Sequence, residues 1–511
     1  MQALAGGAFA TTGDAEIGRQ IYLEGRAGAV SIAAHRAGGV ETRGAGAACV
    51  NCHRRSAMGG SEGRTYVPPI AAKTLFTMQP SGSGASAGGQ GREAFTEASL
   101  ARALNQGVDP GGRTLDYLMP RYQLDAGQLS SLTAYLRTLS DAPPAGIADG
   151  VIHLASVVAG NVSAEQRRSV ETLLRACVAE HNAGPGDARR RKLLSAQMQR
   201  AAPAPWALHV WELSGPPSTW DAQLREHAKR QPVFAMLGGL VDAARGGEWA
   251  PVQQFCEREA IACLYPHVDA PPAAEKNHYS IYASAGVLLE AAMIARRLGE
   301  AAPQSVVQWL RAGDAAAQRG ADALQKVLVA RGVAVAQRHV GVDTPVDEPA
   351  QVLWLRAGNL QRFAMPPPNT TLYLSATLLE HRLDAVPAAL RGATIVAHPQ
   401  ELGPLRAARV SLLDAWLARQ GLSLEDEALQ ADTYLACNAL HNGMQEVEQQ
   451  PGADYLIERL EVITERRGFN GLYPRLSLGA GQRFASKTGY LVRFAGPQLR
   501  GVEALGEAIA P

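Results

Sequence analysis

The sequence predicts two architectures in one chain of 511 residues: an all-α domain over 10–141, then a two-lobed α/β domain over 151–511. Three observations carry this. Up to about residue 140, apolar residues recur at helical spacing in short segments separated by long irregular stretches. From residue 151 onward, short apolar runs alternate with helix-like patterns, the signature of a parallel sheet covered by helices. Between them, residues 142–150 lack periodicity and carry Pro143, Pro144, Gly146 and Gly150, so they read as a linker. A chain of this length also exceeds what one hydrophobic core serves.

In the first domain, residues 14–25 form the first expected helix, with Ile17, Ile21 and Leu23 as apolar positions. The second covers 97–105 and stops at Gly107. The third covers 125–139, with Asp125 as its N-cap and Leu129, Leu132, Leu136 and Leu139 on one face. Residues 81–91 are a Gly/Ser-rich surface loop. In the second domain, 151–158 is an apolar run suited to a buried strand. A helix follows with Ser163 as N-cap and Gln166 three residues on. Further strands are expected at 206–213, 233–237, 261–265, 306–310, 333–336, 352–355, 371–375 and 394–397. The fold class is therefore multidomain, all-α followed by a two-lobed α/β unit.

The strongest chemical signal is Cys49-Val50-Asn51-Cys52-His53. Two thiols at this spacing reach the two vinyl groups of one haem, and the adjacent histidine is placed to ligate its iron. A zinc site needs a second ligand pair at suitable spacing, and none follows. A thiol redox pair opens a helix after a strand, whereas residues 44–48 do not read as a strand. The sixth iron position needs a donor, and Met58, Met78 and Met119 are available. Met58 lies too close to His53 to cross to the other haem face. For Met58 and Met78 the expectation is core filling. Met119 precedes Pro120, which stiffens the loop that presents the sulfur.

Residues 14–140 resemble class I cytochrome c domains. The matching pieces are Gly18-Arg19-Gln20-Ile21-Tyr22, the Cys49–His53 motif, Met119-Pro120, and Ala134-Tyr135-Leu136-Arg137-Thr138-Leu139. The resemblance implies one covalent haem c on Cys49 and Cys52, with His53 and Met119 as axial ligands. It also implies that the proline segment 67–70 supplies the carbonyl that orients His53. Thioether-plus-imidazole ligation leaves no open iron position, which favours electron transfer over oxygen chemistry.

Residues 151–511 resemble type I periplasmic binding proteins, the branched-chain amino-acid receptors of ABC importers. The matching pieces are the 151–158 strand with its Ser163 helix, Phe234-Ala235-Met236-Leu237-Gly238-Gly239, the stretch 249–263, and the closing stretch 469–490. The resemblance implies hydroxyl-rich turns that hold an amino acid. The corresponding stretches 238–243 and 266–272 lack hydroxyls, so an ordinary amino-acid ligand is not expected. Asp269, Tyr279 and Tyr282 fall where the chain crosses between lobes and are the cleft candidates, with packing of the hinge as the preferred alternative for the tyrosines. The basic run Arg189-Arg190-Arg191-Lys192 reads as a solvated surface patch.

Formal net charge is +1, which gives no reason to expect nucleic acid as a partner. No apolar run reaches membrane-spanning length. The first residues do not make a signal peptide, so an exported protein implies a leader that was removed or lies upstream. Of six cysteines, two are assigned to haem. Cys256 and Cys263 are expected to pair, with buried free thiols as the alternative, and Cys177 and Cys437 are left open. The expectation is a periplasmic electron carrier rather than an enzyme, with a dehydrogenase or oxidase as redox partner and a small ligand in the second domain. The alternatives are a ligand sensor with a regulatory haem, or an accessory subunit of a periplasmic dehydrogenase.

Overall fold

The computed structural model describes residues 13–36, 38–80, 91–139, 144–184, 203–273, 277–341, 347–448, 450–465 and 471–510. The glycine/serine loop at 81–90 and the basic run at 189–192 lie outside them. The chain divides into two compact units, one of residues 1–144 with 449–458 and one of 145–448 with 459–511.

In the first unit, beside the helix Glu97–Gln106, the helices Ala15–Glu24 and Ala126–Thr138 pack on each other. Asp14 and Asp125 cap them, each accepting backbone N–H bonds from the first turn. Gly18 is the contact point. A Cβ there would lie 2.0 Å from the Ser131 carbonyl oxygen, so only glycine lets the backbones meet. Tyr22 and Tyr135 pack beside it with ring centroids 5.5 Å apart. Gly18→Ala is therefore expected to cost about 2–3 kcal/mol through overpacking, read as a lowered thermal midpoint with unchanged helix content.

The first unit is not all-α. Ala33–His35 pairs antiparallel with both Glu41–Arg43 and Arg121–Tyr122, and Gly60–Glu62 pairs with Thr65–Val67. These strands are two or three residues long, too short to show alternation in sequence. Two single-turn helices, Val50–His53 and Ala72–Leu75, were likewise not visible.

The second unit has two lobes, each built on a parallel sheet. In lobe one the strands run Trp206–Leu213, Val151–Ala159, Ala235–Leu237, Ala262–Leu264, Ser280–Ile281. In lobe two they run Ala334–His339, Ser305–Leu310, Ala350–Trp354, Thr371–Ser375, Thr394–His398, all parallel. Counted along the chain, both sheets have the order 2-1-3-4-5. An antiparallel pair, Tyr490–Ala495 and Gly501–Ala504, extends the second sheet. Strand cores such as Val352, Leu353 and Trp354 are fully buried, as expected for sheets covered on both faces.

The expected linker needs correction. Ile147–Ala148 pairs with Val151–Ala159, and Gly146 sits so close to Phe234 that a Cβ would lie 2.0 Å from its backbone nitrogen. The second half of 142–150 is thus part of the α/β unit. Two disulfides hold this unit. Cys256–Cys263 is the pair expected from sequence, and Cys177–Cys437 ties the helix Ala164–Ala183 to Glu427–Val447.

Candidate functional site

The first unit encloses a cavity of about 800 Å³, lined by Cys49, Cys52, His53 and Met119 among a mainly apolar wall. Ile70, Leu75, Leu100, Leu104, Leu132 and Leu136 form much of that wall. Well-packed interiors hold few voids larger than a water, and a space of this size has room for a large group.

The Cys49–His53 motif forms one helical turn, with the His53 N–H donating to the Cys49 carbonyl at 2.9 Å. Beyond it the chain turns away at Arg54, whose φ is 66°, and the Tyr22 hydroxyl fixes that turn by donating to the Arg54 carbonyl at 2.7 Å. His53 is buried, and its Nδ1 lies 3.1 Å from the Pro68 carbonyl oxygen. That partner accepts only, so Nδ1 is the nitrogen that donates, and the bond orients the ring so that Nε2 is the nitrogen a metal would take. The Pro68 segment is in turn tied down, because the Ile70 N–H donates to the Ala57 carbonyl at 2.8 Å.

Met119 is held on its own short loop. The N–H groups of Leu118 and Met119 donate to the side chain and carbonyl of Asp116, at 2.9 and 3.1 Å. The Arg121 guanidinium donates to the Met119 carbonyl, and Pro120 follows directly. The other methionines differ. Met58 packs against the core without lining the cavity, and Met78 is 75% exposed, so it fills no core.

Burial pushes the Cys49 thiol up to about 11. A thiol held protonated at neutral pH is a poor redox nucleophile, which argues against a disulfide-exchange pair. Among the described residues no group of three or more His, Cys, Asp or Glu could hold a metal ion, so a Cys-x-x-Cys zinc site finds no further ligands there. Arg64, Arg92 and Arg113 also line the cavity, and Arg113 pairs with Asp109 at 2.8 Å.

The second site is the cleft between the lobes of the α/β unit. In open parallel sheets, ligands meet the carboxyl ends of strands. Here Pro266 and His267 follow Ala262–Leu264, Thr377 follows Thr371–Ser375, and Pro399 follows Thr394–His398. All four line one small cavity of about 30 Å³ with Asp269, Glu380, His381, Asp432 and Tyr473. A larger cavity of about 800 Å³ shares Glu380 and His381 with it and opens past Glu165, Asp384, Arg406 and Asp426.

Of the three cleft residues expected from sequence, Asp269 lines the cleft and the two tyrosines do not. The Tyr282 hydroxyl donates to Gln253 Oε1 at 2.6 Å and its ring belongs to the lobe-one core. Tyr279 is 6% exposed, its backbone N–H donating to Glu257 Oε1 at 3.0 Å. Both pack the crossover. Asp269 is bound to Arg356 at 2.7 Å, and Arg356 also reaches Asp314 at 2.7 Å.

Glu290 stands behind the cleft, fully buried. It accepts from the Thr377 N–H and hydroxyl, both at 2.8 Å, and from the Ser375 hydroxyl. Burial outweighs those hydrogen bonds and pushes its carboxyl up to about 7. The folded value is above the unfolded one, so the protonated form is favoured by folding. Its contribution is complete below about pH 4.3 and is lost as pH rises through 7. Urea midpoints should therefore fall for the native protein relative to Glu290→Gln between pH 5 and pH 8. Parallel curves for the two proteins would contradict the assignment.

No family model matches this chain, and no curated protein matches it. Solved structures that resemble it cover the larger part of the chain at low identity. A possible leucine/isoleucine/valine-binding protein from Rhodopirellula baltica is 13% identical over 72% of this chain and 98% of its own, with a TM-score of 0.47. The branched-chain amino acid transporter substrate binding protein LivJ from Streptococcus pneumoniae, in complex with isoleucine, is 15% identical over 71% and 100%, with a TM-score of 0.48. A solute binding protein from Rhodopseudomonas palustris, in complex with 3,4-dihydroxy benzoic acid, is 10% identical over 71% and 98%, with a TM-score of 0.49. Among the described residues no helix is long and apolar enough to cross a membrane.

Proposed function

We propose that this chain is an exported electron carrier with one covalent haem c, joined to a solute-binding module. The observation that carries the haem reading is the meeting of Cys49, Cys52, His53 and Met119 on one cavity of about 800 Å³. The residues fit the group. Cys49 and Cys52 would form the thioethers, His53 Nε2 and the Met119 sulfur would ligate the iron, and the apolar wall would exclude water. Haem bound this way supplies reversible one-electron transfer. The Pro68 carbonyl orients His53, and the Asp116–Arg121 loop presents Met119. The exposed Arg64, which lines the cavity, suits an acidic arm of a haem.

Export is supported by the two disulfides, which belong to oxidising compartments, and by the place where haem c is attached. The periplasm is the compartment that fits, with a dehydrogenase or oxidase as electron partner. The solute-binding reading rests on the paired 2-1-3-4-5 sheets, whose strand ends meet at a polar cleft. The test is the visible spectrum of the exported protein, oxidised and reduced. Low-spin spectra that added imidazole leaves unchanged support the carrier. A high-spin spectrum that shifts on adding imidazole would point to an open iron position and overturn it.

A further inference from the structure

The cleft carries acceptors that lack donors. Asp432 is 5% exposed, and its Oδ2 takes two bonds, from His267 Nδ1 at 2.7 Å and from the Tyr473 hydroxyl at 3.3 Å. Its Oδ1 is buried and takes none. His381 Nδ1 is also buried without a partner, and both residues line the small cavity. Burial, reinforced by His398, pushes the His381 imidazole well below its ordinary value. The ring is therefore neutral, with one nitrogen an acceptor. Buried acceptors rarely go unmet in native proteins.

Two further observations point the same way. Glu380 and His381 both have left-handed backbones, with φ of 53° and 58°. Strain at successive non-glycine residues clusters at ligand sites. The cations near the cleft are already engaged, His267 among them: against its burial, Asp432 pushes that imidazole up to about 9 and holds it at 2.7 Å. Arg356 is held by Asp269 and Asp314, Arg406 by Glu427, and Arg382 lies 3.6 Å from Asp384. None is offered to an incoming carboxylate, while Glu165, Glu380, Glu425 and Asp426 add negative charge to the larger cavity.

We propose that the cleft takes a small organic cation, its ammonium head donating to Asp432 Oδ1 and His381 Nδ1 and its body lying in the adjoining larger cavity. A protonated primary amine supplies three donors and one positive charge, which matches two unmet acceptors beside a carboxylate-rich mouth. The small cavity, about 30 Å³, has room for such a head group. This inference rests on the solute-binding reading and specifies its ligand class, which differs from a zwitterionic amino acid.

The experiment is calorimetric titration of the full chain with four probes: n-butylamine, 1,4-diaminobutane, butanoate and L-leucine. Binding of the two amines is expected, with at least a tenfold weakening in Asp432→Asn and a severalfold weakening in Glu380→Gln. Should Asp432→Asn fail to fold by circular dichroism, Glu380→Gln decides, because that side chain is exposed and the change keeps its shape. Unchanged amine affinity in the variants would overturn the proposal. Binding of butanoate or L-leucine without the amines would overturn the ligand class and leave the solute-binding reading standing. Binding of none of the four would overturn the proposal.

Discussion

Replacing Cys49 and Cys52 together by serine is expected to remove all covalently bound haem, an all-or-none loss visible by haem stain on a denaturing gel. Serine keeps the shape of each side chain but cannot form a thioether. Neither cysteine has a disulfide to lose, since the other four make the two bridges. The α/β unit should therefore keep its fold, and its circular dichroism should be unchanged. The first unit should become less stable, because its wall of leucines would then surround an unfilled space. Single substitutions are expected to leave haem attached through the remaining thiol, in lower yield.

The second large effect is expected at Met119. Met119→Ala removes the cavity-lining methionine whose loop is held by Asp116 and Arg121, while Cys49, Cys52 and His53 stay in place. Haem should remain attached, and the iron should accept added imidazole or carbon monoxide that the native protein excludes. The midpoint potential should fall by roughly a hundred millivolts or more, because a thioether is among the ligands that raise it. Met78→Ala should change neither property, since that side chain is 75% exposed on the surface. Exchange of these two outcomes would assign the axial role to Met78 and disprove the geometry described for the 116–121 loop.

Much of this was legible in the sequence, for reasons that are local. The Cys49–His53 motif lies in five consecutive residues that fold as one helical turn on the cavity wall, and the Asp125 cap and leucine face announce their helix directly. The strand at 371–375 coincides with the observed Thr371–Ser375, because a strand buried on both faces is a near-continuous apolar run, and the one at 206–213 coincides with Trp206–Leu213, a half-buried edge strand. What stayed hidden is non-local. The Cys177–Cys437 bridge spans 260 residues and depends on two helices meeting. The small sheets of the first unit are too short to carry a period. Tyr279 and Tyr282 sit at the crossover as expected, but packing claims them, whereas the cleft draws on His267, His381 and Asp432 from three distant segments. Asp432 lies within the helix Glu427–Val447, where nothing in the local pattern distinguishes it from a solvated face.

The most direct test is the intact mass of the native chain, produced with export and haem-attachment machinery and measured under denaturing conditions. The expected mass is raised by one haem, with Cys49 and Cys52 resistant to alkylation and Cys177, Cys256, Cys263 and Cys437 alkylated only after reduction. An unmodified mass, with Cys49 and Cys52 alkylated directly, would contradict it.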